Sequence, residues 1–263
     1  MGTQKIDYAN WIPVKVLVVA GSMGGSLAVL LLLSLLLPES AVLIVLRMLL
    51  AVVDALLLLL FLYMCYARCE LSYEWGGVQG KILDNVLKYL NWDGNGLLLD
   101  IGCGSGALTI KAAKKYPKSQ AIGMDYWGAP WDYAKSQCET NARLEGVANR
   151  VSFQRGDAAK LEFPDAHFDA AVSNFVFHEV RSQPDKLALI REALRVLKPG
   201  APFAFEDIFF SPRSYPDLDG LVQALSKEVA ELDFVDTRKN AFVPLLLRTP
   251  MVAGNMGLIY GKK

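Results

Sequence analysis

Leu97-Leu98-Leu99-Asp100-Ile101-Gly102-Cys103-Gly104-Ser105-Gly106 is the stretch on which the fold turns. An unbroken apolar run ends in a glycine loop, and a helical pattern continues from there through Lys115. A strand that breaks into such a loop and then a helix opens a parallel α/β unit. The loop reads Gly-x-Gly-x-Gly, not the Gly-x-Gly-x-x-Gly of dinucleotide oxidoreductases, and Asp100 stands two places before its first glycine. A pyrophosphate would want backbone donors there and no carboxylate close by. Asp100 suits a ligand that is cationic at the loop, such as a sulfonium amino acid.

Four further stretches follow in order. Ala121-Ile122-Gly123-Met124-Asp125 reads as a second strand with an acidic end, and Val151 to Ala158 as a third strand and its loop. Phe168 to Asn174 reads as a fourth strand, and Val196-Leu197-Lys198-Pro199-Gly200 as the turn before a fifth. With these in place the chain resembles the class I S-adenosylmethionine-dependent methyltransferases. Their first motif, Asp-x-Gly-x-Gly-x-Gly, is matched at Asp100, Gly102, Gly104 and Gly106. The likeness covers roughly Ser72 to Lys263 and is nearest the small-molecule branch that includes quinone and sterol methyltransferases.

The resemblance implies a Rossmann-like seven-stranded, mostly parallel sheet with helices on both faces. It also implies S-adenosylmethionine as cofactor and S-adenosylhomocysteine as product. Asp100, Gly102, Cys103, Gly104 and Gly106 would form the cofactor loop. Asp125 would accept from both ribose hydroxyls, with Tyr126 or Trp127 beside the adenosine. Asp157, next to Ala158, would accept from the adenine amino group, and Asn174 would end the fourth strand under the methyl group.

Methyl transfer from a sulfonium is an in-line displacement in which the cofactor already carries the activated group. A general base is needed only where the nucleophile must lose a proton as it attacks. His178, just beyond the fourth strand, is the candidate for catalysis or substrate contact; its alternative is a hydrogen-bonded residue at a helix start. Glu206 and Asp207, ending the fifth strand, could also meet substrate. Phe175, Phe177, Phe209 and Phe210 would either make an apolar entrance or belong to the core. Beyond them, Pro216 to Leu232 reads as a helix, and 234–236 with 255–260 as a final antiparallel pair. Ala241 to Leu247 between them is unusually apolar for a connection, so it is either core or membrane-facing.

The N-terminal quarter is different in kind. Apolar residues make up 53% of the chain, and most of the excess precedes residue 67. Val14 to Leu37 is 24 residues with no charge after Lys15, about 35 Å as a helix and enough to cross a bilayer. Pro38-Glu39-Ser40 makes a turn, and a second apolar stretch runs from Ala41 to about Tyr66. The expected domains are therefore a membrane anchor over 1–70, with helices near 14–37 and 41–66, and a methyltransferase domain over 71–263. Lys5, Lys15 and Arg68 flank the pair while the turn carries only Glu39, so both chain ends and the methyltransferase domain should lie on the cytoplasmic side. Gly21 and Gly25 have the spacing for close helix approach. Arg47 and Asp54, two turns apart on one face, each cost about 2.5–3.5 kcal/mol at mid-bilayer and call for partners, in each other or across an oligomer contact, unless they meet substrate.

Charge is balanced, 27 basic residues against 27 acidic, which gives nucleic acid no electrostatic footprint. Cys65, Cys69, Cys103 and Cys138 lack a metal-ligand spacing, so no metal is expected. These readings converge on a membrane-anchored methyltransferase of a lipid or lipophilic small molecule. The alternatives are methylation of a membrane protein or peptide, and a non-catalytic S-adenosylmethionine-binding membrane module.

Overall fold

The computed structural model describes residues 5–128 and 135–263. By its internal contacts the chain falls into two units. One is Asn10–Gly77; the other takes in Val78–Lys263 together with the chain up to Ala9. Residues 5–9 thus group with the sheet.

The first unit is a pair of helices, α1 (Val14–Ser34) and α2 (Ala41–Glu70), with mean hydropathies of 2.3 and 2.7, both long and apolar enough to cross a membrane. The Ser40 hydroxyl caps α2 by accepting from Leu43 N at 3.2 Å. α1 stops three residues before the expected Leu37, because Pro38 disfavours helical torsions in the residue before it. Leu35, Leu36 and Leu37 instead donate to carbonyls three residues back. Arg47 closes this end: its Nε donates to Ser34 Oγ at 3.2 Å, and its terminal nitrogen donates to the Ser34 and Leu37 carbonyls. The guanidinium therefore serves the negative end of α1 rather than Asp54. Asp54 faces Gly24, and Gly21 faces the Phe61 ring, while a Cβ on Gly25 would meet nothing within 4 Å. Close approach thus uses Gly21 and Gly24, one turn apart, not Gly21 and Gly25.

The second unit is built on a seven-stranded sheet. In chain order its elements are α3 (Val78–Tyr89), β1 (Gly96–Ile101), α4 (Ala107–Lys115), β2 (Ser119–Asp125), α5 (Lys135–Leu144) and β3 (Val151–Arg155). There follow β4 (Ala170–Asn174), α6 (Lys186–Arg195), β5 (Pro202–Asp207), α7 (Leu218–Leu225), β6 (Glu231–Asp236) and β7 (Gly257–Lys262). The strand order is β3-β2-β1-β4-β5-β7-β6, with β1 to β5 parallel and β7 antiparallel to both neighbours. Leu98, Leu99, Ile101, Val172, Phe203 and Phe205 are wholly buried, as expected of strands covered on both faces, and this is why β1 reads as an unbroken apolar run. The order reverses between β1 and β4, which opens a crevice beyond their carboxyl ends.

The C-terminal third departs from the expected elements. α7 ends at Leu225 instead of Leu232, and 231–236 forms β6. The free edge of β7 offers a ladder of backbone hydrogen bonds to this segment, and that pairing overrides its helical pattern. Ala241–Leu247 is not a strand. It ends in a 3₁₀ turn, Leu245–Leu247, in which Leu247 is buried.

Residues 5–9 form a strap over the start of α4 and the side of α5. Asn141 Oδ1 accepts from Asp7 N at 2.9 Å, and Asn141 Nδ2 donates to Asp7 O at 2.7 Å and to Ser105 O at 3.1 Å. The Ser105 hydroxyl donates to Tyr8 O at 2.8 Å, and buried Tyr8 donates from its own hydroxyl to Glu145 Oε1 at 2.9 Å. Asn141→Ala leaves several of these backbone groups without partners, at a cost of about 1–3 kcal/mol. The expected result is a drop of several degrees in the melting temperature of the sheet unit, read by calorimetry on the detergent-solubilised chain, with the helical pair unaffected.

Candidate functional site

The candidate residues gather at the carboxyl ends of β1 to β5. Gly102 N and Cys103 N both donate to Met124 O, at 2.7 and 3.0 Å, so the glycine loop is sewn to the end of β2. Gly102 has φ +73°, and a Cβ there would collide with the Val176 methyls. Glycine is therefore required for the loop after β1 to meet the loop after β4. Gly106, at φ +84°, is the N-cap of α4 and lies against Phe153 and Cys138. Cys103 is buried, which raises its thiol pKa well above the usual range, and Cys138 Sγ donates to Gly104 O at 3.1 Å. Both thiols are structural in character.

Three carboxylates border the crevice from β1, β2 and β3. Asp100 is buried, and the Thr109 hydroxyl of α4 donates to its Oδ2 at 2.6 Å. Burial raises its pKa to about 7 against that hydrogen bond, with Asp125 adding to the rise. Asp125 accepts from Gly104 N at 2.8 Å on one oxygen and from Trp127 N at 2.7 Å on the other, leaving lone pairs on both. Trp127 Nε1 returns a bond to Gly104 O at 2.9 Å. Tyr126 beside it is 58% exposed, with the Arg155 guanidinium 4.9 Å from its ring centroid. Asp157 Oδ1 accepts from Ala159 N at 2.8 Å and from Ser182 Oγ at 3.1 Å, and Ala158 is buried.

The β4 and β5 ends supply the other wall. Asn174 Oδ1 is buried and has no hydrogen-bond partner. Phe175 follows with φ +56°, a torsion unusual for a bulky side chain, held by its N–H donating to Glu206 O at 2.8 Å. Of the four phenylalanines named above, Phe177 and Phe209 are core, and only Phe175 and Phe210 are partly exposed. His178 sits in a 3₁₀ turn, Phe177–Glu179. Its Nδ1 bonds Asp207 Oδ1, its N–H donates to Asp207 Oδ2 at 3.0 Å, and its Nε2 lies 3.4 Å from Glu179 Oε1. Ile208 N and the Tyr215 hydroxyl also donate to the wholly buried Asp207, at 2.7 and 2.9 Å. Burial opposes charge on the His178 ring, but Asp207 and Glu179 together outweigh it and push the pKa up to about 9. The ring is a cation at neutral pH.

Glu206 is buried beside this dyad. The Thr237 hydroxyl donates to its Oε1 at 2.7 Å, while Oε2 and the nearby Asn85 Nδ2 have no partner of normal length. Burial pushes the carboxyl up to about 8, although Thr237 and Asn85 pull the other way. A glutamate ordinarily near 4.5 then holds a proton in the fold that the unfolded chain has released, so stability falls as pH rises from about 4.5 to about 8. His178, raised from 6.5 to about 9, adds stability below 6.5 that is lost as pH rises through 9. Glu206→Gln should make the decline in melting temperature between about pH 7 and 8 shallower, leaving the part due to His178. An unchanged slope would show that Glu206 is already ionised in the fold.

Asp100, Gly102, Cys103, Gly104, Gly106 and Asp125 form one side of the crevice, Asn174 and His178 the other, and Asp157 sits past β3. The donor set fits a cationic amino-acid sulfonium: carboxylates lie at three strand ends, and the orphan Asn174 Oδ1 is an acceptor waiting for a donor such as an ammonium group. Among the described residues no cluster of metal ligands occurs. Sequence reading missed Tyr8, Asn141, Thr109, Val176 and Tyr215, which hold the site from behind. Their partners are far away in sequence, so no local pattern marks them.

Comparison with known proteins agrees with this geometry. Residues 98–200 match the family model described as a methyltransferase domain. The chain is 37% identical over 155 residues to the 2-phytyl-1,4-naphtoquinone methyltransferase of Synechococcus elongatus, covering 55% of this chain and 64% of that protein. It is 39% identical over 108 residues to the demethylmenaquinone methyltransferase of Lactiplantibacillus plantarum, covering 41% and 43%. The chain thus spans less than two thirds of these relatives. Among solved structures, geranyl diphosphate C-methyltransferase from Streptomyces coelicolor superposes with a TM-score of 0.52 at 16% identity, over 70% of this chain and 79% of that one. The cyclase SpnF gives 0.50 at 21% identity, over 70% and 80%, so these two likenesses speak for the fold alone. The motifs in order, the sheet, the crevice and the family match together make this a chain that carries a class I S-adenosylmethionine-dependent methyltransferase domain, with S-adenosylmethionine as its cofactor.

Proposed function

We propose that the chain transfers the methyl group of S-adenosylmethionine to a lipophilic small molecule dissolved in the membrane that α1 and α2 cross, with the sheet unit on the cytoplasmic side. The observation that carries the proposal is the union, in one chain, of two membrane-length apolar helices with a cofactor crevice. A bilayer tether raises the rate of encounter only for an acceptor that is also in the bilayer. The relatives named for naphtoquinone, menaquinone and sterol methylation support the same substrate class.

In this reading the cofactor supplies a methyl group already activated by its positive sulfur, and the chain aligns it with the acceptor, a contribution that can reach about 7–11 kcal/mol. Asp125 holds the ribose and Asp157 the adenine. Asp100 and Asn174 meet the cationic methionine end, and binding there favours the ionised form of Asp100. His178, held by Asp207, turns its charged Nε2–H, shared with Glu179 at 3.4 Å, toward the acceptor side. It serves as a hydrogen-bond donor that stabilises negative charge developing on an acceptor oxygen, because a ring already protonated at neutral pH is a poor proton acceptor.

Label from methyl-labelled S-adenosylmethionine, given to the reconstituted chain with a membrane extract of its source, should appear in the organic fraction. Asp125→Ala should abolish it through loss of cofactor affinity. Label in the protein fraction would instead favour a membrane-protein acceptor, and cofactor binding with no label anywhere would favour a non-catalytic module. His178→Ala should lower kcat by about 10²–10³-fold without changing cofactor affinity, and the rate should fall as pH rises through about 9. A rate that climbs through about 9 would make His178 a base instead.

A further inference from the structure

The connection between β6 and β7 leaves and returns at the functional edge of the sheet. Asp236, Gly257 and Asp207 are register partners across β6, β7 and β5. Thr237 reaches Glu206, and Phe210 N donates to Asn255 O at 3.0 Å. This connection lies beside His178 and Asp207, on the acceptor side of the crevice. Within it Val243 and Leu247 are buried, but Leu245 is 78% exposed, Leu246 60% and Met251 70%. Elsewhere among the described residues of the sheet unit, the exposed large apolar side chains are Ile6, Tyr126 and Leu144, which lie apart in sequence. Half of the exposed apolar residues thus fall in one stretch of seven.

Such a cluster on an otherwise polar surface marks an interaction site. Its charge is of one sign. Residues 237–256 contain Arg238, Lys239 and Arg248 and no acidic residue. Arg238 is paired with Asp236 and stacked on Phe210. Arg248 donates to the Val243 and Asn240 carbonyls, at 3.1 and 3.3 Å, which stiffens the turn. Lys239 is exposed. Exposed leucines beside basic side chains are the composition of a segment that enters the headgroup region of an anionic bilayer.

We infer that the Leu245–Met251 turn is a membrane-docking loop that seats the functional edge of the sheet against an anionic bilayer. The inference rests on the membrane reading of the previous section and adds to it. The tether limits distance, whereas the loop sets orientation, so that an acceptor leaving the bilayer meets the crevice without crossing water. The occupant is lipid rather than a protein partner, because the two apolar helices of the same chain bring a bilayer within reach at high effective concentration.

The test uses the full chain with Cys65 and Cys69 changed to Ser, reconstituted in vesicles of phosphatidylcholine and phosphatidylglycerol. An environment-sensitive fluorophore is placed singly at Leu245→Cys, Leu58→Cys or Lys118→Cys, and lipid-borne nitroxides are the quencher. Leu245 and Leu58 are exposed, so these changes spare the core. Lys118, just before β2, marks the opposite edge of the sheet. Label at Leu245 should lose fluorescence to the nitroxides nearly as much as label at Leu58, and label at Lys118 should not. With label at Met251→Cys, the Leu245→Glu and Leu246→Glu changes together should remove the quenching while leaving cofactor affinity intact. Quenching at Leu58 but not at Leu245 overturns the docking loop and leaves the tether standing. Protection of Leu245 without quenching would point to a protein partner and overturn it too. Quenching at neither site removes the membrane reading with it.

Discussion

Burying carboxyl groups at the end of a sheet is the constraint around which this site is arranged. Asp100, Glu206 and Asp207 all stand at the carboxyl ends of adjacent or nearly adjacent strands, each at most 1% exposed. An isolated charge there is expensive, so each group must find donors, a counter-charge or a proton. Asp207 accepts from His178 twice, from Ile208 and from Tyr215. Glu206 keeps a proton to about pH 8, and Asp100 to about 7. A sulfonium ligand with an ammonium group offers Asp100 what the protein does not, a positive charge beside it. The same carboxyl that weakens the apo fold above neutral pH is then stabilised when cofactor is bound, which links occupancy to stability.

The arrangement of the loops follows from steric limits. Gly102 can bear no Cβ, because Val176 occupies that space. Phe175 accepts an unfavourable torsion so that Val176 can reach there. The loop after β1 and the loop after β4 therefore set each other's position, and the strap through Tyr8, Ser105 and Asn141 braces the first of them from the far side. The two sides of the crevice are thus coupled by packing.

How much of this was legible depended on whether the signal was local. The glycine loop, the acidic strand ends and the apolar run of β1 were readable because each is a short stretch whose residue types are dictated by backbone torsion or burial. The antiparallel end was only partly so. The helical pattern of Leu221, Leu225, Val229 and Leu232 runs on past the end of α7, but from Glu231 the chain is a strand because β7 needs a neighbour. Arg47 and Asp54 looked like a pair from their spacing, but the carbonyl end of α1 was the nearer claim on the guanidinium, and it belongs to another helix. The strap and the Tyr215–Asp207 bond join residues that no periodicity relates. Sequence pattern reports what a residue needs, and long-range partners decide how the need is met.

A fold shared with the cyclase SpnF shows that this sheet does not determine its own chemistry. What narrows the chemistry is the residues at the sheet's edge. A dinucleotide would find the Asp100 and Asp125 carboxylates beside the glycine loop, where its pyrophosphate needs donors. A ligand that is cationic beside Asp100 fits this edge. At the β4 and β5 ends stands the His178 cation, with the protonated Glu206 buried nearby. That electrostatic setting disfavours an amine that enters as a cation, which the His178 charge would repel.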